Sequence, residues 1–290
     1  MLTETKYTLA DGELAAVEIG DAKSADTTIV FLHGWLDNAA SFFTIMEAFH
    51  QLAPQYHLCA IDLPGHGLST NKAGSNFYLF HDYVDDIYQL MPNFSPNRRI
   101  LVGHSLGALI SACYSAAFPE QVAGLVQIEG YAPLFEEPDA CVARMREGVI
   151  SRHQYRSVPA RGYDSLKTAI RHRSQVNKIA PALITPVIER GMRQVGDLWY
   201  WRCDAKLKCD ALYRMSPEHA KQIMEKVTCV DRVILGEEGY PHLHQQCTEL
   251  TEKRPEVFTI AGGHHCHLEQ PQQVAELILG LVNKINKELE

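Results

Sequence analysis

Short, continuous apolar runs alternate with stretches of helical periodicity along the first half of the chain, and this alternation constrains the fold more than any other feature. The runs are TTIVFLHG, YHLCAIDLPGHG, RILVGHS and GLVQIEG, each ending in glycine or a polar residue. Between them, Ala40 to Gln51 carries Phe42, Ile45, Met46 and Phe49, and Phe80 to Leu90 carries Val84, Ile87 and Tyr88. Strands that are apolar throughout are buried on both faces. The pattern therefore predicts a mostly parallel sheet with helices on either side. Ahead of it, YTLADGELAAVEIG holds two alternating segments around Asp11-Gly12, the signature of a hairpin.

The alternation stops near Pro133. From Leu134 to about Lys226 the patterns are helical, with no convincing strand. Thr185-Pro186 and Ser216-Pro217 both read as an N-cap followed by proline at the first helical position. After the second, Ala220, Ile223, Met224 and Val227 form one apolar helix face. Strand patterns resume with DRVILGE and EVFTIAGG. A last helix follows Gln270-Pro271, with Val274, Leu277, Ile278, Leu281, Val282 and Ile285 on one face. The expectation is an α/β core (residues 1–133 and 227–290) interrupted by a helical cap (134–226). No internal repeat or low-complexity tract interrupts it.

Composition narrows the function. The chain has 290 residues, 46% of them hydrophobic, and a net charge of −8. That charge argues against nucleic acid or an anionic membrane as partner. No apolar run approaches the ~18 residues that a membrane span needs. The N-terminus, MLTETKYTLADGEL, lacks the basic and apolar regions of a signal peptide. Eight cysteines are scattered without a Cys-x-x-Cys pair, so reduced thiols and a cytoplasmic location are expected.

The stretch ILVGHSLGALISACYS, residues 100–115, sets one serine between two glycines where a strand becomes a helix. Gly-x-Ser-x-Gly in that context is a nucleophile elbow. The sharp turn exposes the serine oxygen at the carboxyl edge of the sheet. The helix behind it offers backbone N–H groups and positive potential to a developing oxyanion. Ser105 is the candidate nucleophile.

A serine needs a base. IAGGHHCHLEQP places His264, His265 and His267 between the last strand and the last helix, in the chain order that an elbow serine requires. His264 is the leading candidate, with the other two as rivals. With His242 and His244 the cluster also invites a metal reading. It lacks the His-x-x-x-His or Cys/His spacing of a metal site, and no metal is expected.

Together these motifs resemble the α/β-hydrolase fold family over essentially the whole chain, and more narrowly its capped serine hydrolase-like group. FLHGWLDNAASF is similar to the family's His-Gly segment after the third strand. IDLPGHGLS is similar to the Asp-x-x-Gly-His-Gly-x-Ser turn after the fourth, GHSLG to the elbow, and GGHHCHLEQP to the catalytic-histidine turn. WYWRCDAKLK in the cap is a less specific match. The resemblance implies an eight-stranded sheet. It selects His264, directly after the glycine and five residues before Glu269, as the base. It also implies an oxyanion hole from the backbone N–H groups of Trp35 and Leu106. Asp62, Gly65 and His66 take a structural part, fixing a tight turn at the edge of the site. The Trp35 ring is a candidate for the pocket floor.

One departure concerns the acid. The family's usual carboxylate follows the seventh strand, but in ILGEEGYPH that position is Gly239, with Glu237 and Glu238 out of register. VQIEGYAP puts Glu129 at the end of the sixth strand, where some relatives carry their acid. Glu129 is the expected third member, and Glu238 the alternative.

A serine nucleophile limits the chemistry. Relatives that cleave haloalkanes or epoxides use aspartate, whose alkyl ester can be hydrolysed; serine would form a stable ether. Acyl transfer to water without a cofactor is therefore expected, on small carboxylic esters or related acyl compounds. Thioester hydrolysis, carbon–carbon hydrolysis and haloperoxidase-like chemistry share the same machinery. A non-catalytic small-molecule receptor is the rival from another class. Trp199, Tyr200 and Trp201 in the cap either recognise substrate or anchor the cap. Arg144, Arg146, Arg152, Arg156, Arg161, Arg171 and Arg173 read either as favouring an anionic substrate or, preferably, as a solvated cap surface.

Overall fold

The computed structural model describes residues 1–74, 76–157 and 161–289. Strands β1 (Thr3–Leu9) and β2 (Gly12–Ile19) form an antiparallel hairpin that turns at Ala10-Asp11, with Gly12 as the first residue of β2. Then come β3 (Thr27–Leu32), β4 (His57–Ile61), β5 (Arg98–His104) and β6 (Gly124–Ile128). The insert carries a small hairpin, β7 (Met192–Val195) and β8 (Leu198–Trp201), before β9 (Val230–Gly236) and β10 (Glu256–Ile260) complete the main sheet. That sheet has eight strands in the order β1-β2-β4-β3-β5-β6-β9-β10. It is antiparallel at β1–β2 and β2–β4 and parallel from β4 onward.

The helices are α1 (Phe43–Leu52), α2 (Asp82–Leu90), α3 (Leu106–Ala117), α4 (Cys141–Ser157) and α5 (Leu166–Asn177). They continue as α6 (Pro181–Gly191), α7 (Pro217–Glu225), α8 (Pro241–Glu249), α9 (Cys266–Glu269) and α10 (Pro271–Leu289). Alternate residues of each central strand serve opposite faces. Ile29 and Phe31 of β3 join Ile45, Met46 and Phe49 of α1 and Ile278 and Leu281 of α10. Val30 and Leu32 join Ile87 of α2 and Ile110 of α3. Both faces are covered, so the strands have no polar alternation.

The insert differs from the expected all-helical cap. Trp199, Tyr200 and Trp201 lie on β8, not on a helix, and Gly196 at φ 59° makes the turn to β7. A strand of four residues is too short to show a period of two, and its partner MRQV is largely exposed. Tyr163 and Trp199 exchange two backbone hydrogen bonds of 2.8 Å, which ties the hairpin to the segment before α5. Thr185-Pro186 is not a helix start. Helix α6 begins at Pro181 and runs through Pro186, while the Thr185 hydroxyl donates to the Pro181 carbonyl at 2.8 Å. Ser216 does cap α7, accepting from the His219 N–H. The insert is divided in its packing. Ile179, Ile184, Val187, Ile188 and Met192 form one cluster with Ala40 and Leu268 of the core. Met224 of α7 and Val227 beyond it belong to the core cluster beneath the sheet.

Because β3, β5, β6, β9 and β10 run in parallel, their carboxyl ends meet at one edge. The segments that leave that edge are residues 33–38, 105–107, 129–135, 237–240 and 261–265, with residues 62–68 after the parallel β4 beside them.

Candidate active site

Ser105 follows β5 directly and precedes α3, with φ 48° and ψ −116°. A non-glycine residue in this region is strained and persists only where its surroundings hold it. Here they do. The Ser105 N–H donates to the Ile128 carbonyl at 2.9 Å, and its carbonyl accepts from Ala108 at 2.9 Å. The flanking glycines answer to close approach. A Cβ on Gly103 would stand 2.3 Å from the Gly107 backbone, and one on Gly107 would stand 1.9 Å from the Leu32 carbonyl oxygen. Any side chain at either position would force strand, turn and helix apart.

Two backbone N–H groups lie at the turns beside the serine. Leu106 is the first residue of α3, and Trp35 sits in a turn closed by Asp37 N–H to the Gly34 carbonyl at 3.1 Å. Among the described residues neither the Trp35 nor the Leu106 amide donates to another protein group. The Trp35 ring does not form the pocket floor expected of it. It is half exposed, is not among the residues that line the cavity at Ser105, and donates its Nε1–H to the Leu207 carbonyl of the insert at 2.9 Å.

His264 lies in the turn after β10. Its Nδ1 is 3.2 Å from Glu129 Oε2, and its carbonyl accepts from His104 Nε2 at 2.8 Å. The Tyr240 ring covers it, the two centroids 4.5 Å apart. Glu269 braces the turn by accepting from the Gly263 N–H at 2.9 Å. With Nδ1 engaged, Nε2 is the ring nitrogen left to accept a proton. No hydrogen bond joins the Ser105 hydroxyl to an imidazole among the described residues.

Glu129 ends β6 in a left-handed conformation, φ 48°, with its side chain fully buried. Its carboxylate also accepts from the Gly236 N–H at 2.8 Å and the Tyr240 N–H at 3.2 Å. A Cβ on Gly239 would fall 2.0 Å from Glu129 Oε1. The glutamate therefore fills the space that a side chain at 239 would enter. Glu237 and Glu238 are exposed, and their backbone N–H groups bond to Ile260 and Gly262. Neither side chain meets His264.

The rival histidines are buried against other partners. His267 is 2.8 Å from the Ser41 hydroxyl, and His265 Nε2 is 3.3 Å from Asp37. Burial first, then the neighbouring imidazoles, hold His104 and His267 well below the ordinary histidine pKa. Burial also pushes His33 down to about 4 and His66 down to about 3. Among the described residues no group of three or more His, Cys, Asp or Glu is arranged to hold a metal ion. Asp62 accepts from the Ala39 and Leu68 N–H groups at 2.7 Å and from Arg190, while Gly65 (φ 79°) and Gly67 (φ 51°) turn the chain beside it.

A cavity of about 390 Å³ opens on Ser105 and Glu129, walled by Leu109, Leu134, Phe135 and Leu243, with Tyr240, His242 and Gln246 as polar members. Trp199 and Trp201 do not line it. They pack against the insert's own cluster. A larger apolar groove of about 760 Å³ lies between α2, α3 and α7 and contains none of these residues. Two of the cap arginines are not free surface. Arg144 pairs with Glu136 and Arg173 with buried Asp37.

Residues 27–150 match the family model described as alpha/beta hydrolase fold. The chain is 24% identical over 262 residues to a serine hydrolase-like protein of Danio rerio, across 86% of this chain and 79% of that one. It is 25% identical to serine hydrolase-like protein 2 of Homo sapiens, across 96% and 93%. The crystal structure of the hypothetical protein PA1622 from Pseudomonas aeruginosa PAO1 superimposes with a TM-score of 0.84 at 30% identity, across 94% of this chain and 96% of that one. No described helix is long and apolar enough to cross a membrane.

Proposed function

The chain belongs to the α/β-hydrolase fold family, within its serine hydrolase-like group, and we propose that it hydrolyses small carboxylic esters or related acyl compounds through an acyl-enzyme on Ser105. The Ser105 hydroxyl attacks the acyl carbonyl. His264 takes its proton and returns it to the leaving group, and Glu129 orients the imidazole and stabilises its cation. The oxyanion that forms at the carbonyl accepts from the amides of Trp35 and Leu106. Water then attacks the acyl carbon, giving its proton to His264, and His264 passes that proton to the Ser105 oxygen as the C–O bond breaks and the acid leaves. No metal or organic cofactor is needed for these steps. In a site without substrate the serine–histidine hydrogen bond is often long, and it closes when an acyl group docks.

One observation carries this reading. The carboxylate of Glu129 receives two backbone N–H groups and meets His264 Nδ1, on the same sheet edge as a strained serine and two amides that have no acceptor among the described residues. A carboxylate that merely ended a strand would not need to reach the imidazole. The apolar walls of the adjoining cavity suit an uncharged acyl group.

The test is turnover of p-nitrophenyl butyrate and its thioester counterpart, with a fluorophosphonate probe followed by peptide mapping. The reading expects turnover of one or both and a covalent adduct on Ser105. A folded protein that turns over neither, takes up no probe and yet binds butyrate would be a receptor, which overturns the reading.

A further inference from the structure

Asp37 is a fully buried carboxylate that the acyl-transfer steps leave unused. Three segments distant in sequence converge on it. Arg173, from α5 of the insert, donates Nη2 to Oδ1 at 3.0 Å. His265, the residue after His264, brings Nε2 to 3.3 Å from Oδ2. His104, the residue before Ser105, has Nδ1 4.0 Å away. Asp37 itself belongs to the turn that holds the Trp35 amide, through its N–H to the Gly34 carbonyl.

The protons can be assigned. Burial pushes the Asp37 carboxyl up, but the hydrogen bond from His265 and the guanidinium of Arg173 outweigh it and hold the group ionised. An ionised carboxylate only accepts, so His265 Nε2 carries a hydrogen. A carbonyl likewise only accepts, so His104 Nε2 carries the hydrogen given to the His264 carbonyl, and its Nδ1 is bare. That Nδ1 is one of the buried atoms without a partner among the described residues. It gains nothing locally from its position. The ring is placed by its other nitrogen, which fixes the backbone of His264.

The turn at Trp35 needs such support. Leu36 sits at φ 61°, a left-handed conformation that is unfavourable for an L-residue. Asn38, the next residue but one, donates Nδ2 to the Val187 carbonyl of α6 at 2.7 Å. The insert thus grips this loop on both sides of Asp37.

We infer that the buried bridge from Arg173 through Asp37 to His265 is a positioning device, by which the cap sets the oxyanion turn and the His264 turn relative to each other. The inference rests on the assignment of Ser105 and His264 to catalysis. None of the bridge residues touches the reacting atoms. They act through Trp35 and His264. The cap is therefore more than a lid on specificity, because one of its arginines supplies the charge that lets Asp37 stay buried and ionised.

The test compares Asp37→Asn, Arg173→Met, the double variant and Arg173→Lys in the full chain. Each of the two charge-removing single changes strands one charge in the interior, so both lower the melting temperature. The double variant removes both charges and recovers it. If the bridge positions the catalytic turns, kcat in the recovered double variant stays down by about 100-fold, as expected for a small misplacement of reacting groups, with KM changed far less. Arg173→Lys, which keeps the charge, recovers more kcat than Arg173→Met. Wild-type kcat in the double variant would mean that the pair serves folding alone, and would overturn the inference. Histidine ring ¹⁵N–¹H spectra give a readout independent of turnover. The double variant shifts the His264 ring signals if the bridge sets that ring, and unchanged signals overturn the inference whatever the activity. The catalytic assignment is judged separately by Ser105→Ala.

Discussion

Glu129 Oε1 stands 2.0 Å from the point a Cβ on residue 239 would occupy, so the glutamate side chain and the bare backbone of Gly239 are two halves of one arrangement. The loop after β9 carries no side chain at this point, and two N–H donors, Gly236 at the end of β9 and Tyr240 beyond it, receive the carboxylate arriving from β6. Gly239 is not in a left-handed conformation, so its backbone tolerates alanine. Gly239→Ala should therefore fold and push the carboxylate off His264. The expected result is kcat lower by roughly 10–100-fold, as a misplaced catalytic group costs, with a modest loss of melting temperature. Unchanged kcat would show that the contact between these two positions does not matter to turnover.

Replacing a triad acid by its amide costs roughly 10⁴ in kcat, because the imidazole takes the wrong tautomer. Glu129→Gln should fall by orders of magnitude. Glu238→Gln, at an exposed position, should fall by much less. Steady-state kinetics on the two variants decides, and the reverse ranking would return the acid to the loop after β9.

His264→Ala should cost about as much as loss of the serine, since the two act as a unit. His265→Ala should cost less and His267→Ala least. The base works as neutral imidazole, so kcat/KM should rise with pH along a single ionisation. A larger loss at His267 than at His264 would reassign the base.

Stability should fall on acidification. His33, His66, His104 and His267 all have pKa values lowered by burial, so they stay neutral when folded while the unfolded chain binds protons below its ordinary histidine value. The stability they contribute is complete above pH ~6.5 and is lost as pH falls below it. Asp86 and Asp231 work the other way: burial pushes both up to about 6, so below that value the folded state binds their protons first. The unfolded chain gains four protons against two in the folded chain. The net of about two protons near pH 5 gives a slope on the order of 3 kcal/mol per pH unit. Thermal melts from pH 7.5 to pH 5 should show a steady fall. A melting temperature that holds or rises at pH 5 would contradict this.

The legible parts of the molecule were those written locally. A strand, a glycine-flanked serine and a small-residue helix are contiguous, so the elbow could be read from residues 100–115. The absence of a side chain at Gly239 pointed away from β9 and toward Glu129 before any contact was visible. The hairpin β7–β8 was not legible, because strands of four residues show no period. Helix α6 was misread at Pro186, because a proline near a hydroxyl residue looks like a start even when the helix began at Pro181. The bridge at Asp37 was beyond reach. Its arginine lies 136 residues away among several cap arginines, and only tertiary packing separates Arg173 from its exposed neighbour Arg171.

The account stands on one nucleophile. Purified Ser105→Ala, shown to be folded by circular dichroism, should turn over p-nitrophenyl butyrate more slowly than wild type by a factor on the order of 10³ or more, and should take up no fluorophosphonate. Near-wild-type turnover in that folded variant would contradict the account.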